Sequence, residues 1–356
     1  MSAATLTRSQ LASQQRSTDL EAAIETDPAA FRMLSGDRPT GALHVGHYFG
    51  SLHNRVRLQN AGVEVLVLIA DYQAMTDRVL PADLPDIVTG LLADYLAIGL
   101  DPNRATIFAH SQVPPLNQLL LPFLSLVSVA EISRNPTVKD EVSAAGLETV
   151  SGLMLAYPVH QAADILFCHA NLVPVGMDQL PHLEITRTIA RRFNDRYSPV
   201  TPYFPEPDGL LSSAPLLLGL DGQKMSKSRH NTIPLRATAD ETARLLGRAR
   251  TDSQRSVSYD PAGRPEVSSL LLLTALCRGT APEKVAGQIG TGGAARLKAA
   301  AIEAVNDRFA VIRARRAELA ADPGYLRGVL AAGNERATAI ADDTLRAVRR
   351  LMHQRY

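Results

Sequence analysis

The 356-residue chain contains no tryptophan, so its aromatic packing rests on 9 tyrosines and 8 phenylalanines. Cysteine is almost as scarce. Cys168 and Cys277 lie far apart in sequence, which excludes a cysteine-only zinc site or iron–sulfur cluster within the chain and argues against a disulfide scaffold. A reducing, cytoplasmic setting is expected. Long apolar runs are missing too: none reaches the roughly 18 residues a membrane helix needs. Residues 1–30 lack the apolar centre of a secretory signal. We expect residues 1–28 to form a disordered tail, with at most a short helix around Thr18 to Glu25. Charge of one sign is also lacking, with 37 Lys and Arg against 36 Asp and Glu. That balance decides nothing about nucleic acid, because a local basic face can bind RNA while the total cancels.

What remains is an ordinary globular composition, 46% hydrophobic and 21% charged, long enough for one large domain and a smaller one. From about residue 31 to 200, short apolar runs alternate with amphipathic stretches. Arg32 to Gly36, Val63 to Ala70, Thr106 to Phe108 and Leu172 to Val175 read as strands, the second with the continuous β-branched character of a buried parallel strand. Leu84, Ile87, Leu91, Leu92, Tyr95 and Leu96 recur at helical spacing. Such alternation implies an α/β, doubly wound parallel sheet with right-handed crossovers, whose ligands gather at the carboxyl ends of the strands. After about residue 232 the texture becomes Ala, Leu and Arg with helical periodicity. Ile302, Val305, Phe309 and Ile312 make one stripe, Leu345, Val348 and Met352 another, and Pro323-Gly324 separates them. The expected division is a catalytic domain over 29–215, a loop over 216–232 and a mainly helical domain over 233–356.

Two constellations carry chemistry. Gly36-Asp37-Arg38-Pro39-Thr40-Gly41 leaves the first strand and leads to His44-Val45-Gly46-His47, with two histidines spaced by three on the opening turn of a helix. Free backbone N–H groups there favour an anion, and Gly46 allows a nucleotide to lie close. The plain alternative is a capped helix with two surface histidines. Lys224-Met225-Ser226-Lys227-Ser228 follows a glycine-bearing turn, Gly219 to Gln223. Two lysines around a small polar core suit a clamp on a polyphosphate leaving group, against the alternative of a basic surface loop.

These segments carry a resemblance. His44 to His47 looks like the HIGH motif, and Lys224 to Ser228 is identical to the KMSKS motif, of class I aminoacyl-tRNA synthetases. Tyr157-Pro158-Val159-His160-Gln161-Ala162-Ala163-Asp164-Ile165-Leu166 and Leu172 to Gln179 resemble the tryptophan-binding region of bacterial tryptophanyl-tRNA synthetases. The similarity runs from about residue 31 to the C-terminus. On a helix, Tyr157, Gln161 and Asp164 share a face, and a carboxylate at Asp164 can accept from an indole N–H, which only donates. A site built around that donor rejects ligands without it by up to roughly 10⁴–10⁵. Local capping or pairing by Asp164 is the bland reading.

The resemblance implies a Rossmann-like, HUP-type catalytic domain and a helical anticodon-binding domain. It implies ATP, as its Mg²⁺ complex, L-tryptophan and tRNA(Trp) as substrates, a homodimer, and no metal site of the protein's own. His44, His47, Lys224 and Lys227 would be catalytic. ATP would also touch Arg38, Pro39, Thr40, Gly46, Gly176, Met177, Asp178, Met225, Ser226, Ser228 and Lys139, the last in Arg134 to Lys139. Tryptophan would meet Asp164, Tyr157, Gln161, Gln179 and Gln73. Arg313, Arg315, Arg316, Arg346, Arg349 and Arg350 are candidate anticodon binders or else a solvated face. Asp252 and Tyr259-Asp260-Pro261 also resemble family positions, without an evident chemical role.

Departures from the family pattern are Gln161 for Met, Met177 for Glu, Gln73 for His and Arg38 for Gln. They point to a divergent branch with altered sensitivity to tryptophan analogues. A tyrosyl-tRNA synthetase, a small nucleotidyltransferase and a non-catalytic regulatory or binding protein derived from a synthetase stay open as alternatives.

Overall fold

The computed structural model describes residues 8–76, 79–134, 151–176, 180–211 and 217–356. Helix α1 (Arg8–Thr26) precedes strand β1 (Arg32–Asp37). A helical turn (Val45–His47) and a π-helical turn (Tyr48–Leu52) then lead into α2 (His53–Ala61). Next come β2 (Glu64–Ile69), α3 (Leu84–Ile98), β3 (Ala105–Ala109), α4 (Gly152–Leu166), β4 (Leu172–Val175), α5 (Leu180–Tyr197) and β5 (Asp208–Leu211). The remainder is helical: α6 (Ala239–Gly247), α7 (Pro265–Arg278), α8 (Gly293–Ala320) and α9 (Pro323–Leu351) are its main elements.

The five strands are parallel in the order β3-β2-β1-β4-β5. β2 is buried along nearly its whole length, as a central strand covered on both faces must be. It pairs with β1 from Arg32↔Glu64 to Asp37↔Ile69. The strand order reverses between β1 and β4, and an open α/β sheet binds ligands outside the strand ends at such a switch point. Of the apolar positions read as a helix, Leu91, Leu92, Tyr95 and Leu96 are buried on α3. Among the described residues, no helix is long and apolar enough to cross a membrane.

Three features differ from expectation. Residues 8–26 form a helix where a disordered tail was expected. Leu20 and Ile24 enter the core, the Arg16 guanidinium meets Asp208 at 2.6 Å, and Ser17 Oγ accepts from the Leu211 backbone N–H. This helix is mostly polar and joins the core through few apolar side chains, so its pattern carries little signal. β5 escapes notice because Asp-Gly-Leu-Leu is short and has no alternation.

Finally, α9 does not stay in a separate helical unit. It returns to edge strand β3, where Asn334 Oδ1 accepts from the Ala109 N–H and Arg336 reaches the Pro102 and Ala105 carbonyls. A Cβ on Gly333 would lie 1.8 Å from the Ile107 carbonyl oxygen, so the contact requires glycine. With α1 at β5 and α9 at β3, both edges of the sheet are covered, which removes sites for strand addition.

Candidate active site

β1 ends on a buried charge pair. Asp37 accepts from Arg55 at 2.7 Å and from the Tyr95 hydroxyl at 2.5 Å, and Arg55 is only 2% exposed. Burial alone would raise the Asp37 carboxyl, but the Arg55 charge and the two hydrogen bonds hold it down to about 2. This brace fixes the end of β1 to α2 and α3, and therefore the loop from Arg38 to Gly41.

The two histidines open the helical run beyond that loop. The His44 backbone N–H donates to His47 Nδ1 at 3.2 Å, which leaves the His47 ring proton on Nε2. The rings lie 3.6 Å apart. Burial, helped by His47 and Lys227, pushes His44 down to about 3. Burial and Lys227, opposed by Asp37, bring His47 to about 4. Burial therefore favours the neutral form of both imidazoles at pH 7, in which each ring carries one N–H and no charge.

The lysine-bearing loop is docked on this segment. Lys227 Nζ donates to the Gly41 carbonyl at 2.8 Å and approaches Thr40 Oγ1 at 3.4 Å. A short antiparallel contact joins the two regions: Val45 N–H donates to the Ile233 carbonyl, and Leu235 N–H to the Leu43 carbonyl. A Cβ on Gly46 would stand 3.1 Å from both the His44 ring and Met225 Sδ. Glycine here thus admits the Met225 side chain as well as any nucleotide. Within the loop, buried Asn231 donates to Asp221 and to the Lys224 carbonyl and accepts from the Ser226 N–H. Lys224 is exposed on the outer side of this tether.

Beside these motifs a cavity of about 560 Å³ runs between the ends of β1 and β4. Arg38, His47, Gln73, Tyr157, Gln161 and Asp164 line it together with Gly36, Asp37 and Thr76. Asp164 is almost fully buried. Its Oδ1 receives His110 Nε2 at 2.7 Å and its Oδ2 receives Gln73 Nε2 at 3.0 Å. Tyr157 OH is 3.0 Å from His182 Nε2. The cavity thus holds a carboxylate acceptor at one end and N–H donors of the His47 segment at the other.

The family described as tRNA synthetases class I (W and Y) matches residues 26–310. The chain belongs to this family. The tryptophan–tRNA ligase of Streptococcus pneumoniae serotype 4 is 40% identical over 345 residues, covering 91% of this chain and 98% of the relative. That of Treponema pallidum is 41% identical over 329 residues, covering 90% and 96%. Among solved structures, tryptophanyl-tRNA synthetase from Campylobacter jejuni complexed with ADP and tryptophan superposes with a TM-score of 0.79 at 28% identity, covering 91% of this chain and all of that one. Tyrosyl-tRNA synthetase from Archaeoglobus fulgidus, at 22% identity and a TM-score of 0.65, shares the fold.

Lys139, Met177, Asp178 and Gln179 lie outside the described residues, as does the side chain of Ser228. Gly176 is exposed just beyond β4. Of the six arginines read as anticodon binders or a solvated face, four have side-chain partners within the chain. Arg316 pairs with buried Asp94, and Arg313 bonds Thr242 and Asn306. Arg346 pairs with Asp343 and Arg349 donates to Gln118, while Arg315 and Arg350 are exposed. Asp252 accepts from Nε and Nη2 along one edge of the Arg264 guanidinium, which braces the loop before α7.

The sequence reading missed His110, His160 and Asn117. His110, His160 and Asp164 lie close enough to hold a metal ion. However, Nε2 of each imidazole is already committed, to Asp164 and to Asn117 Oδ1, so the cluster reads as a hydrogen-bonded network. A histidine following a predicted strand, as His110 follows β3, was the only signal in the sequence.

Proposed function

We propose that the chain is a tryptophan–tRNA ligase, which activates L-tryptophan with ATP and transfers it to tRNA(Trp). The observation that carries this reading is a cavity lined by both His47 of the HIGH segment, against which the KMSKS loop is docked through Lys227 and Gly41, and Asp164. The tryptophan carboxylate attacks the α-phosphorus of Mg²⁺-ATP, a new P–O bond forms, and the bond to the β-phosphate oxygen breaks to release pyrophosphate. No protein nucleophile takes part, so the acceleration comes from positioning and from charge stabilisation. His44 and His47 offer neutral N–H donors to phosphate oxygens, and Lys227, with Lys224 swinging in from solvent, meets the leaving pyrophosphate. Asp164 accepts from the indole N–H, and Tyr157, Gln161 and Gln73 complete that end of the cavity. The 2′-hydroxyl of the terminal adenosine then attacks the adenylate's carbonyl carbon, an ester bond forms, and the acyl–phosphate bond breaks to release AMP.

The helical region beyond residue 232 supplies the tRNA surface in this reading. Exposed Arg315 and Arg350, with Arg236, Arg244 and Arg248 around a second cavity of about 350 Å³, are cations suited to phosphates. A cytoplasmic homodimer is the proposed state, supported by Leu121 and Val129, large apolar side chains left 75% and 66% exposed.

ATP–pyrophosphate exchange run separately with tryptophan and tyrosine tests the assignment, followed by charging of tRNA(Trp). Exchange with tryptophan alone is expected. Exchange driven by tyrosine would move the chain to the other specificity, and none with either would remove the enzymatic reading. Because the chain has no tryptophan of its own, indole fluorescence gives ligand binding directly.

A further inference from the structure

The carboxylate of Asp164 is held on one side by Gln73, in the cavity lining, and on the other by His110, which lies behind the cavity wall. His110 is fully buried and does not line the cavity. Its Nε2 lies 2.7 Å from Asp164 Oδ1. Asp164 is an acceptor only, so this nitrogen carries the proton. The other oxygen takes the Gln73 amide, whose nitrogen must face the carboxylate for the same reason. The two donors arrive from different elements, the end of β3 and the loop after β2. Together they fix the rotation of the carboxylate.

His110 is itself clamped. Its ring stacks on Tyr72 at 6.1 Å and 24°, and on its other neighbour, His160, at 4.5 Å and 35°. Asn117 ties the group together. Its Nδ2 donates to the His110 carbonyl at 2.8 Å and to the Val113 carbonyl at 3.0 Å, so its Oδ1 must face His160. His160 Nε2, at 2.8 Å, is therefore the donor. Burial lowers the His160 imidazole below its ordinary value. The whole arrangement presents a donor to the rear of Asp164 at one fixed position.

We infer that His110 is a specificity-determining positioning residue: by holding Asp164 as a fixed acceptor it makes the amino-acid site select a ligand that brings its own N–H. The inference rests on the reading of Asp164 as the indole acceptor. A carboxylate held on one side only can turn away from the cavity, and then a ligand without the donor loses little relative to tryptophan. A carboxylate locked from behind leaves its remaining lone pairs unmet when that ligand binds, which is the basis of strong rejection.

The test is pyrophosphate exchange with tryptophan and with the isostere in which sulfur replaces the indole N–H, comparing kcat/KM for the two. His110→Leu removes the rear donor. The ratio should fall by about tenfold or more, with the KM for ATP unchanged. His110→Gln keeps an N–H near the Nε2 position and should restore most of the ratio. A merely structural role would lower the thermal midpoint and leave the ratio alone. A folded His110→Leu protein that keeps the wild-type ratio overturns the inference. If that protein does not fold, a His110→Gln ratio no higher than that of His110→Asn, whose shorter amide cannot reach Asp164, does the same. Asp164→Asn is run in parallel. An unchanged ratio in that variant removes the reading of Asp164 itself, whereas a collapse there beside an unchanged His110→Leu removes only the role of His110.

Discussion

Replacing Arg316 separates a structural role for the helical region from a tRNA-binding one. The sequence suggests this arginine as a contact for the anticodon. In the structure it reaches from α8 to Asp94 on α3, a carboxylate only 2% exposed. Burial raises the Asp94 carboxyl, and Arg316 is the largest opposing influence, followed by the Leu43 backbone N–H just before His44. Removing one partner of a buried ion pair costs about 3–5 kcal/mol because the other charge is stranded. Arg316 keeps 17% of its side chain in water, so the lower end, about 3 kcal/mol, is expected for Arg316→Ala. Adding Asp94→Asn removes the stranded charge and should recover about half of that loss. Urea unfolding followed by helical circular dichroism gives both numbers, and charging kinetics give the KM for tRNA. A normal unfolding midpoint in Arg316→Ala together with a raised KM for tRNA would refute the argument and return this arginine to the RNA surface.

Two further outcomes follow from the same geometry. Folded His44 and His47 titrate at about 3 and about 4, below the ordinary imidazole value, so the unfolded chain binds more protons between these values and about 6.5. Their contribution to stability is intact above pH 6.5 and is lost as pH falls toward 4. Wild type should lose stability over that window faster than His44→Gln, and parallel acid profiles in urea titrations would contradict this. At the opposite end of the molecule, Gly333→Ala places a methyl group on the Ile107 carbonyl and must push α9 off β3, at about 1–3 kcal/mol or more. A thermal midpoint equal to that of wild type would show that α9 does not pack this closely.

The parallel sheet is legible in the sequence wherever a strand is buried on both faces. Val65 to Ile69 has no polar position to interrupt it, and β1, β3 and β4 fall where apolar runs precede Gly, His and Gly. β5 and α1 are not legible, for one reason. Each is held by partners distant in sequence, such as Arg16 on Asp208 and Ser17 on Leu211, and periodicity records only what a segment buries by itself. The same limit applies to α9, whose contact with β3 turns on one missing Cβ at Gly333.

The site shows the same division. His44, His47, Lys227, Gln73, Tyr157, Gln161 and Asp164 are readable because they sit in contiguous motifs. His110 and Asn117 are not, since His110 stands 54 residues from Asp164 and Asn117 is bonded to main-chain carbonyls, while His160 sits in the motif but its bond to Asn117 does not show there. The charge state of the motif histidines is equally invisible in sequence. It depends on burial and on Lys227, which arrives from far along the chain.

The docked loop changes how the leaving group is met. Lys227 already donates to the Gly41 carbonyl, and Asn231 fastens the loop at Asp221, Lys224 and Ser226. A lysine held this way does not pay the ordering cost of closure when ATP binds, because that cost has been met in folding. In the proposed reaction it would exchange a neutral carbonyl for a phosphate oxygen, and charge-assisted hydrogen bonds are roughly twice as strong as neutral ones. The exchange therefore becomes more favourable as charge accumulates on pyrophosphate, which places the gain in the transition state and not in ground-state binding. Neutral His44 and His47 fit the same scheme: an imidazolium would hold ATP tightly before reaction, whereas an N–H dipole fixed by burial is preorganised for the charge that develops.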